Sequence, residues 1–181
     1  TIVSLAKKYK GDADEIVAYN NLQKDKPLIV GSEIIVPDGE VLTSPSVVGS
    51  STSSGLKEYV GYYLRPIVGG RKTQGIHGYN GVDLANSIGT PILASADGEV
   101  IISRTGGWNG GYGNYIVIKH PNGTQTLYAH MSGINVGVGQ QVVAGKTVIG
   151  YVGNNGRSTG PHLHFEIRLN GKTLDPFSYL K

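Results

Sequence analysis

The chain has 181 residues, 39% of them hydrophobic and 16% charged, with 28 glycines, about twice the usual share. That length permits one medium domain or a small module joined to a larger one, and the glycine content points away from helical bundles and coiled coils. The net charge of +3 carries no basic run beyond Lys7-Lys8-Tyr9-Lys10, no apolar stretch is long enough for a membrane span, and there is no cysteine, which excludes disulfides and thiolate metal sites. A nucleic-acid partner is therefore not expected. Any metal would have to be held by histidines and carboxylates. Thr1 opens directly into a helical pattern, so a soluble chain is expected, with any export signal already removed.

Charge divides the sequence in three. Residues 1–40 carry 5 basic and 7 acidic groups, 41–56 carry none, and 57–181 carry 11 basic and 6 acidic; 23 of the 28 glycines follow residue 60. The uncharged stretch VLTSPSVVGSSTSSG is too poor in apolar surface to repay ordering and reads as a flexible linker over 41–56. Ahead of it, Ile2, Leu5, Ala6 and Tyr9 recur at helical spacing, Gly11 stops that helix, Asp12 or Asp14 caps a second, and LIVGSEIIVP reads as a strand. The strings TIVSLAKKY, ADEIVAYNNL and LIVGSEIIVP resemble the LysM carbohydrate-binding module, without its opening strand. The resemblance implies a partial α/β module over residues 1–40 that binds N-acetylglucosamine-containing glycan.

Residues 57–181 are expected to be all-β. Asp97-Gly98, Asn122-Gly123 and Asn170-Gly171 each fall between apolar runs, including TPILASA, EVIISR, NYIVIKH, TQTLYAHM, HLHFEIRL and KTLDPF, which is the strongest short-range hairpin signal. Antiparallel sheets follow from it. No helical stretch separates the strands to support a parallel sheet.

All five histidines lie in this part. In PHLHFEIR, strand alternation sends His162, His164, Glu166 and Arg168 to one face and Leu163, Phe165 and Ile167 to the other, so one face is expected to be polar and the other core. Two imidazoles two residues apart can offer one metal ligand and one neighbouring base; paired histidines on a solvated strand face are the plain alternative. GIHGYNGVDLAN holds His77 and Asp83 among glycines, and a polar turn accounts for it locally. Joined to one histidine of the pair, these two residues make a three-ligand nitrogen and oxygen set with an open fourth position, which catalytic zinc requires. TLYAHM places Tyr128 and His130 on one face of another strand.

In the order HGYNGVD, LYAHMS, GNNGRSTGPHLHFE, the second part closely resembles the lysostaphin-type zinc endopeptidases, which cut peptide cross-links of bacterial peptidoglycan. The resemblance implies zinc held by His77, Asp83 and His164, His162 as general base, and His130, with Tyr128, stabilising the developing oxyanion. The family spaces its first His and its Asp by three residues; here five separate His77 from Asp83, and Tyr79 stands at the three-residue offset. Gly78 and Gly81 would let the extra residues loop out through left-handed conformations.

Trp108 in GGWNGGYG is a candidate for lining a substrate groove, with loop packing as its alternative, while His120 is expected at a turn, outside the site. Glu166 is read as solvated rather than orienting a neighbour. The implied partners are peptidoglycan cross-links and glycan, the implied location is the cell wall, periplasm or exterior, and a monomer is assumed. The competing reading from another class is a non-catalytic wall-binding or regulatory protein that keeps the fold, distinguished by loss of metal ligands.

Overall fold

The computed structural model describes residues 1–9, 13, 16–17, 20, 22–23, 26–28, 34, 36, 59–77, 81–170 and 172–181, with the backbone alone for 74–77. The chain divides into two compact units, Thr1–Ser51 and Thr52–Lys181. The expected linker, 41–56, lies outside the described residues.

In the first unit, α1 (Ile2–Tyr9) starts where the Thr1 hydroxyl accepts the Ser4 N–H at 3.1 Å, satisfying one of the free donors of the first turn. The helical spacing read from the sequence then directs Ile2 and Ala6 inward against Ile16, with Leu5, Val17, Leu28 and Val36 packed around them. Ala13, Ile16 and Val17 are helical, in keeping with the second helix. The strand expected over LIVGSEIIVP lies outside the described residues, apart from Leu28, Ile34 and Val36.

The second unit is built from antiparallel strands: β1 (Arg71–His77), β2 (Gly81–Ala85), β3 (Pro91–Leu93), β4 (Gly98–Arg104), β5 (Tyr115–Lys119), β6 (Thr124–Ala129), β7 (Met131–Ile134), β8 (Gln141–Val142), β9 (Val148–Val152), β10 (His162–Leu169) and β11 (Lys172–Leu174). Eight form one sheet in the order β1-β2-β10-β6-β5-β4-β8, with β11 paired to β10; β3-β9-β7 form a second. Every pairing between these strands is antiparallel.

Two of the three expected hairpins form. Asn122-Gly123 turns β5 into β6, with Gly123 at φ +82°, and Asn170, at φ +52°, opens the two-residue turn from β10 to β11. Asp97-Gly98 does not make one. It carries the chain from β3 in the small sheet to β4 in the large one, because β3 pairs with β9 while β4 pairs with β5 and β8. Burial replaces turn chemistry as the reason for glycine there: a Cβ on Gly98 would run into the Lys119 carbonyl and the Ile118 side chain.

The main core lies on one face of the large sheet, where Leu163, Phe165 and Ile167 of β10 meet Val82, Leu84, Ile116, Ile118 and Tyr128. Truncating a fully buried Phe165 to Ala would cost about 3–5 kcal/mol. The other face was expected to be polar and is only partly so. Tyr115, Val117, Leu127 and Ala129 form a second apolar cluster there, beside the buried Glu166 and Arg168 on the neighbouring strand.

Candidate active site

β2 and β10 pair with Asp83 directly opposite His164 and Ala85 opposite His162. Side chains of facing residues in such a pair lie on one side of the sheet within contact distance. Asp83 Oδ1 is therefore 3.0 Å from His164 Nδ1, and its other oxygen is 3.4 Å from His162 Nε2. Gly81 makes room for this arrangement, since a Cβ there would overlap the His164 imidazole. Its φ is not left-handed, so the space it leaves, and not a looped-out conformation, is the reason for glycine. Gly78 lies outside the described residues.

Along β10, the next side chain on the same face is Glu166, which is fully buried. The solvated reading of this residue is thereby corrected: Leu127 lies beside it on β6, and Tyr112 and Arg168 take the places that water would have at its oxygens. Its Oε1 accepts from His164 Nε2 at 2.8 Å and from the Tyr112 hydroxyl at 3.0 Å, and its Oε2 accepts from Arg168 Nε at 2.6 Å. Arg168 also donates to the Tyr112 hydroxyl at 2.9 Å. Burial works against a charged Glu166, but the Arg168 guanidinium and the bond from His164 win and hold its carboxyl down at about 2. Burial likewise opposes charge on His164, yet its bonds to Asp83 and Glu166 outweigh that and raise it to about 9. Both nitrogens of this imidazole thus face carboxylates.

His162 is oriented from behind. A carbonyl only accepts, so Nδ1 of His162 donates to Gly160 O at 2.7 Å, with the Ser158 hydroxyl 3.1 Å away, and in the neutral ring Nε2, beside Asp83, carries the lone pair. His130 is oriented the same way, Nδ1 donating to the Asn155 carbonyl at 2.7 Å. Burial, then the neighbouring His162 and His164, push His130 down to about 4. Neutral His130 thus also presents an acceptor at Nε2.

Alternation predicted that Tyr128 and His130 share a face. They do not, because His130 lies between β6 and β7 at φ +60°, which turns the chain over. Tyr128 is fully buried in the main core, where its hydroxyl accepts from Ser95 N–H at 2.9 Å and lies 3.0 Å from the Thr126 hydroxyl. The expectation that Tyr128 touches substrate is withdrawn on that geometry. His130, by contrast, packs edge-on against His162 and His164.

The backbone of His77 closes β1 opposite Gly81, two residues before Asp83 on the facing strand. Its side chain and all of Tyr79 lie outside the described residues. Among the described residues, accordingly, no group of three carboxylates and imidazoles forms a ready cation site. Trp108 is 61% exposed beside the 3-10 turn Asn109–Gly111, whose Gly111 carbonyl accepts from Arg157 N–H. That turn joins the loop carrying Trp108 to the segment that orients His130 and His162. His120 sits at its predicted turn but is buried, bonding the Asp97 carbonyl at 2.8 Å and lying 2.8 Å from the Thr126 hydroxyl.

Sequence reasoning singled out neither Tyr112 nor Asn155 as a site residue. Tyr112 carries no local motif; only the fold brings it to Glu166, 54 positions along the chain. Asn155 acts through its backbone carbonyl, and its side chain fixes that loop by donating to the Met131 carbonyl at 2.6 Å.

The family model described as peptidase family M23 matches residues 77–176, and the LysM domain model matches residues 1–37. The DD-carboxypeptidase/endopeptidase Mpg of Neisseria meningitidis is 48% identical over 118 residues, 65% of this chain and 25% of that protein. This chain thus spans about a quarter of the length of that curated relative. Among solved structures, the antimicrobial peptidase lysostaphin from Staphylococcus simulans is similar at TM-score 0.54 and 35% identity, over 60% of this chain and 48% of that one. A zinc-containing peptidase from Vibrio cholerae is similar at TM-score 0.50 and 38% identity, over 62% of this chain and 36% of that one.

Proposed function

The chain belongs to peptidase family M23 and carries a LysM domain, and from that membership we propose that it is a zinc-dependent endopeptidase that hydrolyses peptide cross-links of bacterial peptidoglycan. The observation that carries this reading is the convergence of Asp83, His164, His162 and His130 at one end of β2, β6 and β10. Relatives named for DD-endopeptidase activity, and lysostaphin among the structural neighbours, support the substrate class. The LysM domain fits a role in raising the local concentration of the enzyme on glycan. Both parts agree with a cell-wall or periplasmic location.

The residues present fit a zinc ion. A carboxylate and an imidazole face each other at 3.0 Å, Gly81 leaves the space a side chain would fill, and the far side of the imidazole is held by a buried carboxylate, an arrangement common behind zinc-bound histidines. Asp83 and His164 would hold the metal, with His77 as the third ligand. Bound there, zinc would supply a Lewis acid that polarises the scissile carbonyl and makes water a better nucleophile near neutral pH.

His162 takes the proton from the attacking water at Nε2, since its Nδ1–H is tied to Gly160. His130 offers a second acceptor beside it. Its hydrogen bond to Asn155 means that Nε2 can donate to a developing oxyanion only while it carries a proton of its own, so His130 would stabilise that charge as an imidazolium. Trp108, exposed on the loop that is bonded to Arg157, would stack its indole on the substrate peptide.

The test is hydrolysis of purified peptidoglycan, with released fragments identified by mass spectrometry. Chelation should abolish release and added zinc restore it. Verified metal-free protein that cuts cross-links at full rate would overturn the mechanism.

A further inference from the structure

Glu166 and Arg168 form an ion pair from which water is excluded, next to a site that hydrolysis does not require them to touch. The carboxylate side chain is fully buried and the guanidinium nearly so. Such a pair is a poor device for stability, because desolvating both charges offsets most of their attraction, and well-packed apolar residues of similar volume do as well or better. Its placement calls for another explanation.

The explanation lies in what the carboxylate holds. Residues two apart on a strand point to the same face, so Glu166 reaches back along β10 to Nε2 of His164, while Asp83 reaches across from β2 to Nδ1. The two ring nitrogens are thereby given different partners. Nε2 faces a carboxylate that is already anchored by Arg168 and by the Tyr112 hydroxyl. Nδ1 faces Asp83, the less deeply buried of the two carboxylates.

We propose that Glu166 is the positioning residue of the zinc site: it keeps the His164 proton on Nε2, so that Nδ1 is the metal donor, and Arg168 with Tyr112 fixes Glu166 for that task. The proposal rests on the zinc reading above. Glu166 touches neither substrate nor metal and acts through His164 alone. Arg168 sets the direction of the carboxylate by taking Oε2, which leaves Oε1 for the imidazole. Tyr112, on the loop before β5, ties the same carboxylate to the segment beside Trp108.

The experiment compares the full chain with Glu166→Gln and with the paired variant Glu166→Leu/Arg168→Met, which removes both buried charges at once, so that neither is left buried without its counter-charge. Zinc affinity is read by competition with a chromogenic chelator. The imidazole state is read from nitrogen-proton correlation spectra of the zinc-loaded wild-type chain. The expected results are a 10- to 100-fold loss of zinc affinity in each folded variant and a His164 that is protonated at Nε2 and ligated through Nδ1. Unchanged affinity in the folded variants, or a His164 proton on Nδ1, would overturn the proposal. If neither variant folds, the wild-type spectrum decides by itself. A wild-type chain that binds no zinc would instead bring down the zinc reading, and this proposal with it.

Discussion

The imidazoles of His130 and His162 stand edge to face, with ring centroids 4.7 Å apart and planes at 61°. Each is tethered through Nδ1 to a backbone carbonyl, Asn155 for one and Gly160 for the other, so both offer Nε2 to the same space. His164, two residues from His162, is instead bound on both nitrogens by carboxylates. The two histidines of HLH should therefore separate experimentally. His162→Ala is expected to keep its metal and lose turnover by ~10²-fold or more, whereas His164→Ala loses both together. Metal content measured beside activity decides, and equal metal loss in the two variants would contradict the assignment.

The first zinc ligand is expected to be His77 and not Tyr79. A neutral imidazole binds zinc near neutral pH, whereas a phenol with pKa ~10 must first lose its proton. Zinc stoichiometry should fall in His77→Ala and hold in Tyr79→Phe, with at most a modest rate defect in the latter. The reverse pattern would falsify the ligand set.

Gly81→Ala should damage the site without unfolding the sheet. The backbone conformation at this position is open to any residue, but the new methyl would occupy the place of the His164 ring. A displaced ligand is expected to cost on the order of 10²-fold in turnover, with weaker zinc binding. Thermal denaturation measured alongside should show a fold that persists; wild-type activity in this variant would mean that the ring sits elsewhere.

His120 should make the second unit sensitive to acid independently of the site. Burial is the largest influence on it and lowers its pKa, against the opposing pull of the Asp97 carbonyl and charge. The unfolded chain, with a His pKa of about 6.5, therefore takes up the proton first as pH falls. Stability is untouched above that pH and drops as pH descends from about 6.5 toward the folded value, by at most about 1.4 kcal/mol per pH unit. Denaturant unfolding from pH 7.5 to 5 should show this slope in the wild type and a shallower one in His120→Gln. Parallel curves would remove the argument.

Trp108→Ala should raise KM on cross-linked substrate while leaving kcat and zinc content nearly unchanged. That expectation follows from an indole 61% exposed on a loop hydrogen-bonded, at Gly111, to the segment behind His162. A protein that instead loses thermal stability would identify Trp108 as a packing residue of its loop.

The sequence carried the strand at 162–169 because period-two alternation is a local property, and it carried Asp83 and the histidine pair because their types and spacing are chemical. What it did not carry depends on the opposite surface. Glu166 reads as solvated until Leu127 is found beside it on β6 and Tyr112, from a distant loop, against its carboxylate. Tyr128 was placed beside His130 by the same alternation that succeeded in β10, and failed because one residue in a left-handed conformation reverses the facing of everything after it. Asp97-Gly98 has the composition of a hairpin, but pairing of β3 with β9 is a long-range choice that no dipeptide records.

The left-handed backbone at His130 also bears on how this chain can drift. At φ +60° most side chains are strained, β-branched ones most of all, while Gly, Asn and Asp are accepted readily. Position 130 is thus filtered twice, once by chemistry and once by conformation, and the second filter survives when the first is lifted. A library randomised at this codon and selected only for folded protein should return His mixed with Gly, Asn and Asp, and almost no Val, Ile or Thr. A descendant that has abandoned hydrolysis would carry the same narrow set there, and the shape of the backbone would remain legible in its sequence after the reaction was gone.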